Sequence, residues 1–278
     1  MTAASGMLAV VAAGRRWRAE IRRHLEDLHR LGGEPPQPVS HDALAKLPQP
    51  VQRYFALVLP EGQPRISRAR VRQAGTFRMR EGGDPESDWA PFTAVQHFTA
   101  EPPGFIWDAR IRMAPLTTVR VRDGYIGGHA SMRGAVGGLV NVVNAADTPE
   151  LRAGALQRYL AEAVWFPTAL LPGRVTWSAV DESHARATLA DGETSVALDF
   201  EFTPGGEIVA AHTPGRLRAL PGRRGEYGLV PWGGRYAHYR EQGGIRIPTE
   251  AEVFWVLEGR EQPYYRGRNV RIEYRFAG

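Results

Sequence analysis

Between Arg65 and Phe276 the chain alternates apolar and polar residues in short runs, the two-residue period of strands that bury one face. Arg65 to Arg80 sets Arg68, Arg70 and Arg72 on one face against Ala69 and Val71 on the other. Trp89 to Ala100, Phe105 to Met113 and Thr117 to Arg122 follow, punctuated by Gly82-Gly83-Asp84-Pro85 and Glu101-Pro102-Pro103-Gly104. Asp123-Gly124 reads as a tight turn into Tyr125-Ile126. Gly127 to Ala146 is small and glycine-rich and reads as a mobile linker. Strands resume with Arg174 to Val180, His184 to Leu189, Thr194 to Phe202 and Ile208 to His212. Tyr236 to Glu241, Ile245 to Ile247, Ala251 to Leu257 and Val270 to Phe276 complete them, and Arg216 to Arg224 is left as a basic loop. The count is about six strands before the middle of the chain and about seven after it.

One strong helical signal divides the two series. Thr148 can cap, Pro149 suits the first helical position, and Glu150 answers the dipole. Leu151, Ala155, Leu156, Tyr159, Leu160, Ala163 and Val164 then form one apolar face, which Pro167 ends. Near the start, Trp17, Ile21, Leu25, Leu28 and Leu31 recur at helical spacing beneath a surface of Arg15, Arg16, Arg18, Arg22, Arg23 and Arg30. The apolar run Met7 to Gly14 is far below the roughly 20 residues of a membrane span, and its positive charges follow it, unlike those of an export signal. Gly32-Gly33 and Pro35-Pro36-Gln37-Pro38 read as a linker, with a second helical stretch carrying Val51, Tyr54, Phe55 and Val58 beyond it.

These elements predict a mainly β, α+β chain. Its centre is a single strongly curved antiparallel sheet, half-barrel or barrel-like, of about 11–13 strands. The central helix lies over its mouth and helices stand at the N-terminus. Residues 1–38 are expected to form an amphipathic helix and linker, and 39–278 a single domain containing the central helix 149–165.

Composition narrows the chemistry. No cysteine is present, which removes disulfides, thiolate metal sites and cysteine nucleophiles. The formal charge of +5 is carried almost wholly by arginine, Lys46 being the only lysine. Those arginines are spread along strand-like segments, so no specific nucleic-acid partner is expected. The eight histidines make no HExxH or HxH pattern, so no metal site is expected. Gly134-Ala135-Val136-Gly137-Gly138 lacks the Gly-Lys-Ser/Thr ending of a phosphate loop, and dinucleotide spacing is absent, so no cofactor is expected.

Pro103-Gly104-Phe105-Ile106-Trp107-Asp108 and Val121-Arg122-Asp123-Gly124-Tyr125-Ile126 are similar to two hairpin strands of the LolA/LolB-like lipoprotein carriers. That resemblance implies a sheet wrapped around helices and enclosing an apolar cavity. Over most of its length the chain more closely resembles a bacterial domain-of-unknown-function family. The residues that carry this are Trp89-Ala90-Pro91-Phe92 with Gln96, Gly104-Phe105-Ile106-Trp107, Arg158 to Glu162, Trp165 to Pro172, Trp232-Gly233-Gly234 and Pro263-Tyr264-Tyr265-Arg266.

The candidate site follows from which groups would face inward. Trp89, Trp107, Tyr159, Trp165, Trp232, Tyr236, Arg240 and Trp255 are the candidate ligand-binding residues, since indole and phenol bodies line apolar pockets while their polar tips seek one partner. Glu162 borders the apolar face of the central helix, four residues after Arg158. Phe105, Trp107 and Ala109 share a face, so Asp108 is either solvated on the other face or turned inward by a bulge. Tyr236, His238 and Arg240 share a face in strict alternation. Two functional expectations follow. One is binding of a lipid or other hydrophobic small molecule. The alternative is a cofactor-free enzyme of cyclase, isomerase or hydrolase type, with Glu162, Asp108 or His238 as acid or base. The expected location is cytoplasmic, with peripheral membrane contact through the basic N-terminal helix as the partner to test.

Overall fold

Alternation of buried and exposed residues is realised as thirteen strands hydrogen-bonded into one sheet. The computed structural model describes residues 3–31, 38–39, 42–78, 86–115, 117–220 and 226–277. The expected Gly32–Pro38 linker, Pro38 excepted, and the Gly82–Pro85 turn lie outside the described residues. The first series is β1 (Ile66–Arg78), β2 (Trp89–Thr99), β3 (Gly104–Ala114), β4 (Thr117–Ile126), β5 (His129–Val136) and β6 (Val140–Ala145). The second is β7 (Val175–Ala179), β8 (His184–Asp191), β9 (Thr194–Phe202), β10 (Ile208–Ala219), β11 (Tyr227–Gln242), β12 (Ile245–Leu257) and β13 (Arg260–Phe276). Each series is an antiparallel meander, and the two join where β1 pairs with β13. β6 and β7 are left as the free edges.

The sheet curls because its ladders are interrupted. The β1–β13 pairing skips register between Ile66 and Arg68 and again between Arg72 and Gln73, and such bulges sharpen the right-handed twist. A Cβ at Gly75 would lie 2.0 Å from the Arg266 carbonyl oxygen, so the close approach of β1 to β13 there requires glycine.

Three helices complete the described chain. α1 (Ala3–Arg30) lies against the convex face, burying Trp17 and Leu28. α2 (Gln49–Val58) packs Val51, Tyr54, Phe55 and Val58 into the concave side over β8, β9 and β12. α3 (Pro149–Glu162) connects the two free edges and packs against β9 and β10 on one side and β4 and β5 on the other. Thr148 caps it as its sequence predicts, accepting from the Leu151 N–H at 3.2 Å. A single 3₁₀ turn over Ala163–Trp165 extends it, and side chains from the sheet then hold its carbonyls. Tyr236 donates to Ala161 O at 2.9 Å and Tyr274 to Trp165 O at 2.6 Å.

Two expectations are corrected. Gly127 to Ala146 is no linker but the strands β5 and β6, its glycines serving the turns: Gly127, Gly128, Gly137 and Gly138 all have positive φ. Of the expected basic loop Arg216 to Arg224, Arg216 to Ala219 is the end of β10, and residues 221–224 lie outside the described residues.

Candidate functional site

The concave face is filled unevenly. Beside Tyr159 in the last turn of α3 and Phe166 just beyond the helix, Phe98 and Phe105 complete a cluster that packs ring against ring, with Phe98 and Phe166 centroids 4.5 Å apart. The C-terminal turn of α3 and the 3₁₀ turn after it border an unfilled space with Arg158, Ala161, Glu162 and Trp165. A cavity of about 470 Å³ opens there between the two halves of the sheet.

Strand alternation sets its walls. In β3 the inward residues are Phe105, Trp107, Ala109 and Ile111. Their partners on β4 are Tyr125, Asp123, Val121 and Val119, which brings Asp123 into the lumen. The Asp123-Gly124 pair is therefore strand interior, and the turn falls at Gly127-Gly128. On β11 and β12, Trp232 pairs with Trp255 and Tyr236 with Ala251, all facing the cavity. Trp165 and Tyr265 contribute further aromatic wall. The Trp232 indole donates to the Tyr264 hydroxyl at 3.0 Å, and Trp107 to Gln73 Oε1 at 2.9 Å.

Within this apolar wall sits a charged cluster. Arg158 Nε donates to Glu162 Oε1 at 2.9 Å and its Nη1 to Asp123 Oδ2 at 2.7 Å. Gln96 Nε2 donates to Glu162 Oε2 at 2.7 Å. The Arg158 guanidinium also lies over Phe105 and Trp107, at 5.1 and 5.0 Å from the ring centroids. Burial pushes the Glu162 carboxyl above its ordinary range, against the opposing pull of Arg158 and Gln96. Burial also works against the charge on Arg158, but Glu162 and Asp123 outweigh it and hold the guanidinium firmly protonated. Tyr236 is raised well above an ordinary phenol, by burial first and by Glu162 second.

A second arginine enters by a different route. In β10, Thr213 pairs with Trp232 but Arg216 pairs with Val230, so one extra residue is accommodated at Pro214-Gly215. The bulge switches the inward face from odd to even positions, and Arg216 and Arg218 line the cavity where simple alternation would place Gly215 and Leu217. The Arg216 guanidinium lies over Trp232 at 4.4 Å and Trp255 at 5.6 Å, and its Nη2 donates to Gly154 O at 3.0 Å. Burial lowers its pKa.

The candidates named from sequence divide accordingly. Trp107, Trp165, Trp232, Tyr236, Trp255 and Glu162 come together around the cavity. Trp89 does not, because Ala90, Phe92 and Ala94 take the inward positions of β2 and leave Trp89 on the convex face under Arg266. Tyr159 is core, its hydroxyl donating to Thr99 O at 2.9 Å. Asp108 is outward, as alternation without a bulge dictates, and accepts from the Trp17 indole of α1 at 2.8 Å. His238 and Arg240 are exposed. His238 has φ 57°, which turns β11 so that Tyr236 and Tyr239, not Tyr236 and His238, point inward. Arg158 is the partner of Glu162 that the spacing of four suggests, whereas Asp123, Arg78, Arg216 and Arg218 are lumen groups the sequence reading missed. Pro214-Gly215 was the legible sign of the bulge behind the last two of them.

A second cleft of about 300 Å³ lies at the opposite end, among His29, Arg65, Glu101, Arg174 and Arg275. It is smaller, and Tyr159 and Phe276 are its only aromatic rings besides His29, so the cavity walled by four tryptophans is the candidate site. Among the described residues no cluster of histidine and carboxylate groups could hold a metal ion.

Residues 37–267 match the family of unknown function DUF6544. The chain belongs to that family. A crystal structure of a LolA superfamily protein from Nitrosomonas europaea is similar at 12% identity and a TM-score of 0.34, over 83% of this chain and 94% of that one. No curated protein matches this DUF6544 member.

Proposed function

We propose that the protein binds a lipid or other hydrophobic small molecule in the aromatic cavity. The observation that carries this is a space of about 470 Å³ walled by Trp107, Trp165, Trp232, Trp255 and Tyr265, with a few polar groups converging on it. Ligand pockets typically span ~300–1,000 Å³ and are lined in this way. The acid–base alternative is less well supported. Asp108 and His238 lie outside the cavity, and both Glu162 oxygens are occupied by Arg158 and Gln96. Native mass spectrometry of freshly purified protein, followed by titration with a fluorescent fatty-acid probe, tests the reading. A co-purified mass, or saturable probe binding weakened by Trp255→Ala, is expected. Absence of both, with tryptophan emission unchanged by the probe, would overturn it.

Peripheral membrane contact is the proposed source of that ligand. Val10 lies two helical turns before Trp17 on the same face, yet Trp17 is buried and Val10 exposed, so the first turns of α1 overhang the sheet. Leu8 and Val11 are exposed beside it, and Arg15, Arg16 and Arg18 follow on the exposed surface. The β5–β6 turn abuts the helix, a Cβ at Gly138 lying 3.6 Å from that of Ala13, and it adds exposed Leu139 and Val140. Apolar side chains bordered by arginine suit an anionic bilayer surface. No described helix is long and apolar enough to cross a membrane. Co-sedimentation with phosphatidylglycerol vesicles, but not with phosphatidylcholine alone, is expected and should be lost in Leu8→Glu/Val11→Glu. Equal recovery of both proteins on both vesicles would reject the proposal.

A further inference from the structure

We infer that the cavity's ligand carries an anionic head, a carboxylate or a phosphate, and that Arg216 is its anchor. This rests on the hydrophobic-ligand reading and adds the chemistry of the polar end.

The argument begins from how charge is matched in the cavity wall. Arg158 already has two carboxylates, Glu162 and Asp123, and both are within 3 Å of its nitrogens. Arg216 has none: among the described residues it makes no ion pair, and its one hydrogen bond is to the Gly154 carbonyl. A guanidinium carries five N–H donors, so most of those on Arg216 have no protein acceptor. A half-buried cation with no ion-pair partner is costly in an apolar wall, and proteins normally pair it. The two indole rings beneath it offset part of that cost.

The surroundings point the same way. Arg218, one step further along the bulged strand, also faces the lumen and lies 5.4 Å over the Trp255 ring. Arg78 lines the same cavity from β1. Arg216 and Arg218 thus set two guanidinium groups on the β10 side, while the wall formed by Trp107, Trp165 and Tyr265 is aromatic. Burial lowers the Arg216 pKa, with Tyr264, Asp123 and Glu162 opposing and Arg158 adding to it. The planar fork of Arg216 lines the lumen and keeps an edge of unpaired N–H donors there. That edge matches the two oxygens of a carboxylate or phosphate. The ligand's tail would then run toward the aromatic wall.

Three probes of one chain length separate the possibilities: laurate, dodecyl phosphate and dodecanol. Each is titrated against the full-length protein by calorimetry, and against Arg216→Met and Arg216→Gln, with thermal melts confirming that the variants fold. The wild type is expected to bind at least one anionic probe about 10- to 100-fold more tightly than dodecanol, the range of one charge-assisted hydrogen-bonded contact. Both variants should bring that ratio close to one while leaving dodecanol affinity unchanged. Which anion binds more tightly distinguishes a fatty acid from a phosphate-headed lipid. Equal binding of all three by the wild type, or a preference that survives both substitutions, would overturn the inference and leave the hydrophobic-ligand reading standing. Binding of none of the three would overturn both.

Discussion

The Trp17 indole N–H donates to Asp108 Oδ1 at 2.8 Å, joining α1 to the convex face of β3. Burial pushes the Asp108 carboxyl above its ordinary range, with the indole and nearby arginines opposing. Close by, Glu20 bridges Arg122 at 2.5 Å and Arg133 at 2.6 Å. The helix is therefore docked, yet the main apolar core begins at Val39 and draws on no residue of α1. Deleting residues 1–38 is expected to leave 39–278 folding as one cooperative unit at a lower melting temperature. Losing the burial of Trp17 and Leu28 costs about 3–6 kcal/mol, or roughly 6–20 °C in a chain of this size. Circular dichroism melts check this. A truncated chain without a cooperative transition would make α1 part of the folding unit.

The same seam should respond to pH. His97, on the outer face of β2, stands opposite Arg70 and 6.1 Å from the His29 ring of α1. Burial, then Arg70 and His29, lowers its pKa to about 4, with Glu273 opposing. His29 is lowered too, by burial and then by Arg68 and Arg275. A base depressed in the folded state binds its proton more readily when unfolded. Its contribution is intact above 6.5 and is lost as the pH falls from 6.5 toward 4. Urea titrations at pH 7 and 4.5 should show the wild type losing on the order of 2–3 kcal/mol more than His97→Asn. Identical losses would place the acid sensitivity elsewhere.

Gly75 carries the tightest approach between the two halves of the sheet. Gly75→Ala would drive a Cβ against the Arg266 carbonyl, backbone that cannot step aside. A loss of at least about 1–3 kcal/mol is expected. Gly205→Ala is the control, because its Cβ would meet only Thr203 Oγ1 at 3.7 Å. Urea midpoints that fall equally in both variants would show that the crowding at Gly75 is relieved by small shifts.

What the sequence revealed follows from which signals are local. The Thr148-Pro149-Glu150 cap and the period of α3 are written in adjacent residues, and both are realised. Trp107 could be assigned a face because β3 alternates without interruption along its inward run. Where the backbone breaks alternation, the reading failed. His238 turns β11 by a left-handed residue that carries no glycine mark, and the Pro214-Gly215 bulge inverts the faces of β10. Asp123 was missed for another reason. It reads as a turn residue until β4 and α3, remote in sequence, bring it within 2.7 Å of Arg158.

The charged cluster offers the last test, because its members cannot be weighed one at a time. Arg158 is shared by Glu162 and Asp123, and the three side chains are only 9–18% exposed. Arg158→Met leaves two carboxylates together in an aromatic wall, so a loss of about 3–5 kcal/mol is expected. Glu162→Gln should cost less, about 1–3 kcal/mol, because Asp123 still balances the guanidinium and the amide oxygen can still accept. The combination Arg158→Met with Glu162→Gln and Asp123→Asn removes every charge at once and should recover most of the loss. Urea denaturation of the singles, the pairs and the triple measures this directly. Arg158→Met and Glu162→Gln together should cost less than the sum of their separate effects by about 0.5–3 kcal/mol. Strict additivity, with the triple no more stable than Arg158→Met, would mean that water in the cavity screens these groups and that the cluster is not a coupled network.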